Sequence, residues 1–177
     1  MKYTISSAQQ IEDSKTIIKT VLDLNIHHDM KRKVIDYLLW NITGAFGKFN
    51  TKYISDGAKI SHGELLNHEH VFTKKGLIQR ILAEPDNLET ILKDAIGCIV
   101  TKEEHDRLNK EKNVEGWQRY INVKIKVWEL NEDILYRKLD EMKNREFMKL
   151  PFDLREKIFS IKPAKPFNYN VTSDEQV

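Results

Sequence analysis

Four of the six histidines lie between His62 and His105, and three of these fall in two short motifs. Asn67-His68-Glu69-His70 ends an expected strand, and Thr101-Lys102-Glu103-Glu104-His105 marks the passage of a second strand into a helix. A strand-borne histidine, a carboxylate beside it and a helix-borne histidine can converge on one divalent ion while leaving coordination positions open. The same trio, Glu69, His70 and His105, can instead serve as caps or buried hydrogen-bonding groups. His27, His28 and His62 read as surface polar residues, and Glu103-Glu104 as first-turn acid that suits the dipole of its helix.

These motifs need a scaffold of alternating elements. The spacing of Ile11, Ile18 and Leu22 predicts a helix over residues 7–24, capped by Ser6 or Ser7. A second helix, capped by Asp29, is expected through Trp40, with Met30, Val34, Tyr37 and Leu38 as its apolar stripe and Gly44 as its stop. Residues 44–63 carry Gly44, Gly47, Gly57 and Gly63 and read as loops with short extended pieces. A short strand is then expected within 64–73, helices over 75–83 and 87–95, a buried strand over Gly97–Thr101, and a short helix capped by Thr101 with Glu104 closing a capping box. The alternation of Ile121, Val123, Ile125 and Val127 predicts a half-solvated strand, followed by a charged helix over 131–149, a last short helix after Pro151, and an extended tail from Lys162. The expected fold is therefore α+β and mainly helical. Its segments are 1–43 (N-terminal helical), 44–130 (core with the following strand) and 131–177 (C-terminal helices and tail), together one compact domain.

Composition bounds the function classes. The chain has 177 residues, 40% hydrophobic and 32% charged, enough to bury a core without disulfides. Its net charge of +2 does not announce a nucleic-acid binder, so any phosphate-binding surface must be local. The single cysteine, Cys98, excludes a cysteine-built zinc site and reads as a small buried hydrophobe. No apolar run reaches the roughly 18 to 20 residues of a membrane helix, and the first residues lack a signal-peptide core, which points to a cytoplasmic protein without a membrane partner. The spacing of a helical zinc protease, Gly-rich phosphate loops and a nucleophile elbow are all missing.

Glu69-His70-Val71-Phe72-Thr73, followed by Cys98-Ile99-Val100-Thr101-Lys102-Glu103-Glu104-His105, resembles the HNH or His-Me-finger (ββα-metal) endonucleases. Bacterial and phage HNH-like proteins with a later GWxRY segment are a further likeness, matched here by Gly116-Trp117-Gln118-Arg119-Tyr120. The resemblance covers residues 67–108 and departs from the pattern in Thr73, which stands where a proline is common, and in a helical insertion between the strands. It implies a small finger of strand, helical insertion, strand and helix packed against N- and C-terminal helices. It also implies a metal-dependent DNA endonuclease in which His70 is the general base that deprotonates water. One divalent ion held by Glu69 and His105, with His68 and Asn109 as further ligand candidates, would neutralise charge at the phosphate. Mixed oxygen and nitrogen ligands admit Mg²⁺, Mn²⁺, Ni²⁺ or Zn²⁺.

Such an enzyme must hold DNA. Lys74, Lys75 and Arg80 follow the base, Arg107 and Lys110 lie on and beyond the metal-site helix, and Arg119 follows Trp117, so these are the candidate phosphate contacts, with a solvated helix face as the alternative. Trp117 and Tyr120 read first as core and second as base-stacking residues. The competing function is a non-catalytic binding or regulatory protein that keeps the finger as a metal-stabilised scaffold. In either case the N-terminal helices offer a surface for a homodimer or a protein partner.

Overall fold

The computed structural model describes residues 6–48, 51–61, 65–111, 113–129 and 162–164. The fold is mixed α+β and mainly helical. Helix α1 spans Ser7–Asp23 and α2 spans His28–Thr43. Strand β1 (Tyr53–Ser55) leads into helix α3 (Asp56–Ile60), and β2 (Leu66–His70) into α4 (Lys74–Ala83). A 3₁₀ turn over Pro85–Asn87 precedes α5 (Leu88–Leu92). Then come β3 (Gly97–Thr101), α6 (Lys102–Leu108), α7 (Trp117–Asn122), β4 (Val127–Glu129) and the two-residue β5 (Lys162–Pro163). The expected helices over 131–149 and after Pro151, and most of the tail, lie outside the described residues, as does His62.

The sheet has the order β2-β3-β1-β4-β5. Strands β2 and β3 are antiparallel, His70 opposite Gly97 and Glu69 opposite Cys98, while β1 joins β3 in parallel and β4 antiparallel. This corrects the expectation of a self-contained ββα finger. The β2–β3–α6 unit is one edge of a larger mixed sheet, because the stretch read as loop contributes β1, which pairs with the second strand.

The two faces of the sheet are covered differently. On one, Ile18, Ile35, Leu38, Leu39 and Ile42 of α1 and α2 pack with Leu77, Ile78 and Ile81 of α4 and Leu88, Ile91 and Leu92 of α5. On the other, Cys98 and Val100 of β3 pack with Leu108 of α6, Tyr120 of α7, Ile125 and Val127. Each large apolar side chain fully removed from water contributes roughly 1.5 to 3 kcal/mol before conformational entropy is charged against it.

Caps set the element boundaries. Ser6 accepts from the Gln9 amide at the start of α1, as expected. Helix α2 begins at His28 and is capped by His27, whose ring Nδ1 accepts the Asp29 amide at 3.3 Å, so the expected cap Asp29 lies inside the first turn. Thr101 and Glu104 form the expected capping box, and Glu104 does more than cap. Its buried carboxylate also accepts from the Ser55 hydroxyl at 2.5 Å and the Gly57 amide at 3.2 Å, tying the β1–α3 junction to α6. A Cβ at residue 57 would stand 2.7 Å from that carboxylate, which accounts for glycine there.

The alternating segment after Arg119 is divided between two elements. Trp117, Tyr120 and Ile121 have helical spacing and fall in α7, Lys124 turns the chain with a φ of 55°, and the strand begins at Val127. Ile121 consequently lies on an exposed face, whereas Ile125 and Val127 are core residues. Gly116 starts α7 with a φ of 70°, where a Cβ would meet the Phe72 ring at 2.7 Å.

Candidate functional site

Strand β2 is regular over its whole pairing with β3, so successive side chains alternate between the faces of the sheet. Glu69 therefore points toward α6 and α7, and His68 and His70 toward α2. The expected ligands Glu69 and His105 are brought together, while His68 and the expected base His70 lie across the sheet from them.

On the α6–α7 face, Glu69 is 7% exposed and both of its oxygens are taken. His105 Nδ1 lies 2.6 Å from Oε2, and the Arg119 guanidinium lies 3.0 Å from Oε1. Arg119 is itself 3% exposed, and it also donates to the backbone carbonyls of His70, Val71 and Leu108. One cation thus neutralises the buried carboxylate and fastens the end of β2 to the end of α6. The guanidinium fork suits this task because it delivers several directed donors from one fixed charge.

On the opposite face, His70 stacks on Trp40 at 5.5 Å between ring centroids, and its Nε2 lies 3.2 Å from the Thr43 hydroxyl. Burial lowers its pKa to about 3, with the neighbouring His68 and Lys74 adding to the shift and Asp36 opposing it. His68 packs 5.0 Å from Trp40 and 5.3 Å from His70, and its Nδ1 lies 2.8 Å from the Lys48 carbonyl. Burial lowers its pKa as well. Both imidazoles are packed, neutral rings.

Asn109 follows the end of α6, is exposed, and is not among the partners of the Glu69 carboxylate, which are His105 and Arg119. The phosphate-contact candidates also divide. Arg119 is in the core, Lys74 pairs with Asp36 at 2.9 Å, Arg80 pairs with Asp94 at 2.7 Å, and Arg107 donates to the Val123 carbonyl. Lys75 and Lys110 are exposed. Even the N-terminus of α4 is filled from within: the Glu115 carboxylate accepts from the Thr73 amide at 2.7 Å and the Thr73 hydroxyl at 2.5 Å.

The donor set does not fit a divalent ion. Among the described residues no group of three or more His, Cys, Asp or Glu side chains could hold one. The expectation of a site for Mg²⁺, Mn²⁺, Ni²⁺ or Zn²⁺ is corrected on that ground, and with it the metal-dependent endonuclease with His70 as base. The Glu69 oxygens are directed at a guanidinium and an imidazole, and His70 packs on Trp40 on the other face. Cys98 and Tyr120, beside this site, are not activated as nucleophiles. Burial pushes the Cys98 thiol and the Tyr120 phenol well up, and the two groups face each other in the core.

The sequence reading missed Trp40 and Thr43 as the partners of His70, and it gave Arg119 to DNA. Trp40 and Thr43 are spaced by one helical turn, but nothing local in the sequence connects them to a strand that begins 23 residues later. No family model, curated protein or solved structure matches this chain. No helix among the described residues is long and apolar enough to cross a membrane.

Proposed function

We propose that the chain is a non-catalytic binding or regulatory protein built on a metal-free, degenerate relative of the His-Me finger. The observation that carries this reading is the saturated Glu69: a guanidinium and an imidazole hold the carboxylate where the finger would hold its ion. The order of β2, β3 and α6, with the capping box leading to His105, supports the family likeness.

The partner surface is the outer face of α2, and its occupant is a second copy of this chain. On α2, Met30, Lys33 and Tyr37 recur at spacings of three and four residues and are exposed, with Ile26 just before the helix and the rim of Trp40, whose ring stacks on His70, at the far end of the stripe. Such a stripe seats another helix, as in a coiled-coil seam. The apolar members are substantially uncovered, Tyr37 at 65% and Met30 at 51%. Both signs of charge flank them, Asp29 and Asp36 beside Arg32 and Lys33, so opposite charges can pair across two antiparallel copies of the helix. A DNA partner is less well served. Of the six cations expected to grip phosphate, Arg119 is in the core, Arg107 is held by a backbone carbonyl, and Lys74 and Arg80 are paired with acids at the surface.

Sedimentation equilibrium tests the assignment. The wild-type chain is expected to show a concentration-dependent dimer, and a Met30→Glu/Tyr37→Glu variant with unchanged circular dichroism is expected to be monomeric. A monomer in both proteins across the micromolar range overturns it.

A further inference from the structure

His105 connects the buried Glu69–Arg119 pair to the surface. Its side chain is 32% exposed, against 8% for Glu69 and 3% for Arg119. The two ring nitrogens have different surroundings. Nδ1 lies 2.6 Å from Glu69 Oε2, and an ionised carboxylate can only accept, so Nδ1 carries the hydrogen. Nε2 of the neutral ring therefore bears the lone pair. It has no hydrogen-bond partner among the described residues and, unlike Nε2 of His68, it is not enclosed. Arg119 holds the other carboxylate oxygen at 3.0 Å and so fixes Glu69 behind the ring. A buried carboxylate on Nδ1 sets the tautomer, orients the imidazole and stabilises the positive charge that appears on it when Nε2 attacks an electrophile.

The surface around Nε2 suits an electrophile that carries negative charge. Lys102 and Asn109 stand three residues before and four after His105, so they share its face of α6 and the turn that follows. Both are exposed, and neither side chain has a partner among the described residues. Helical spacing puts Glu103 on the opposite side and Asp106 on the flank. An ammonium and a carboxamide thus offer donors to the oxygens of a group received by the ring between them.

We propose that His105 Nε2 accepts a phosphoryl group from a small acyl phosphate. Nε2 attacks phosphorus, the N–P bond forms as the P–O bond to the acyl group breaks, and the carboxylate leaves with that electron pair. The ring gains a positive charge shared with Glu69 through the Nδ1 hydrogen, and no proton has to leave. The chain is the acceptor and turns nothing over, which extends the non-catalytic reading, and the site uses no residue of the α2 surface.

Acetyl phosphate is the probe, read by peptide mapping at alkaline pH and by ³¹P NMR. In the wild-type chain Nε2 of His105 is expected to be phosphorylated at least about tenfold faster than His27 and His28, which are exposed and have no buried carboxylate among their partners. This comparison within one chain does not depend on any variant folding. A Glu69→Leu/Arg119→Met double variant, which leaves no unpaired buried charge, is expected to bring His105 down to the rate of those two residues. Equal labelling of the three histidines, acetylation of His105 in place of phosphorylation, or a His105 left unmodified overturns the assignment.

Discussion

Replacing Arg119 by alanine is expected to lower the stability of the fold by about 3 to 5 kcal/mol, the range for removing one partner of a buried ion pair. The loss has three parts. Glu69 loses the guanidinium in a site that is 7% exposed and retains only His105 as a partner. The carbonyls of His70, Val71 and Leu108 lose their donors. A cavity also opens beside Tyr120 and Leu108. A total of this size is a large share of the roughly 5 to 15 kcal/mol that holds an ordinary domain together. Urea denaturation measures it. A Glu69→Leu/Arg119→Met double variant is expected to recover much of the loss, because replacing both partners removes the unpaired charge that makes the single change so costly. A single variant within about 1 kcal/mol of wild type would mean that the guanidinium does not neutralise Glu69.

Acid is expected to weaken the fold well above the range in which carboxylates protonate. His70 is held neutral, with a folded-state pKa of about 3 against the ordinary 6.5. The unfolded chain therefore binds the extra proton first, and stability rises with pH through this window. The contribution is fully present above about pH 6.5 and drains away as the pH falls toward the folded-state value, on the order of 4 kcal/mol over the whole span. His68 is shifted in the same direction and adds to the slope. Between about pH 7.5 and pH 5, urea denaturation is expected to show a loss of about 2 kcal/mol, before most carboxylates titrate. A His70→Leu variant keeps the packing on Trp40 and removes the proton site, so its slope over the same interval is expected to be much shallower. An unchanged slope in that variant would place the titrating group elsewhere.

Local signals read well in this sequence. Ser6 before α1, Gly44 after α2 and the Thr101–Glu104 box are contained within a few residues of the boundaries they set, and the structure has each of them. The apolar core strand at Gly97–Thr101 was equally plain from its β-branched run. Registers across long separations were not legible. Strand β1 hides in a glycine-bearing stretch because three residues carry no periodicity, and only pairing with β3 and β4 makes it a strand. The site failed for a reason already present in the sequence. Glu69 and His70 are adjacent, and adjacent residues of a regular strand face opposite ways, so a strand that stays regular to His70 cannot bring both to one ion. What could not be read was the cation that Glu69 would take instead. Arg119 lies 50 positions on, just before the segment whose apolar alternation pointed to a strand, and its burial follows only from the packing of α7 on β3.

The central claim is that a guanidinium and an imidazole, not a divalent ion, satisfy Glu69. Titration of the ¹⁵N-labelled chain with Mn²⁺ tests this most directly, read at the His105 imidazole. The expected result is no selective paramagnetic broadening of His105 at millimolar Mn²⁺ and no rise in the melting temperature. Saturable broadening of His105 that is abolished by Glu69→Gln, together with stabilisation by the ion, would contradict the account.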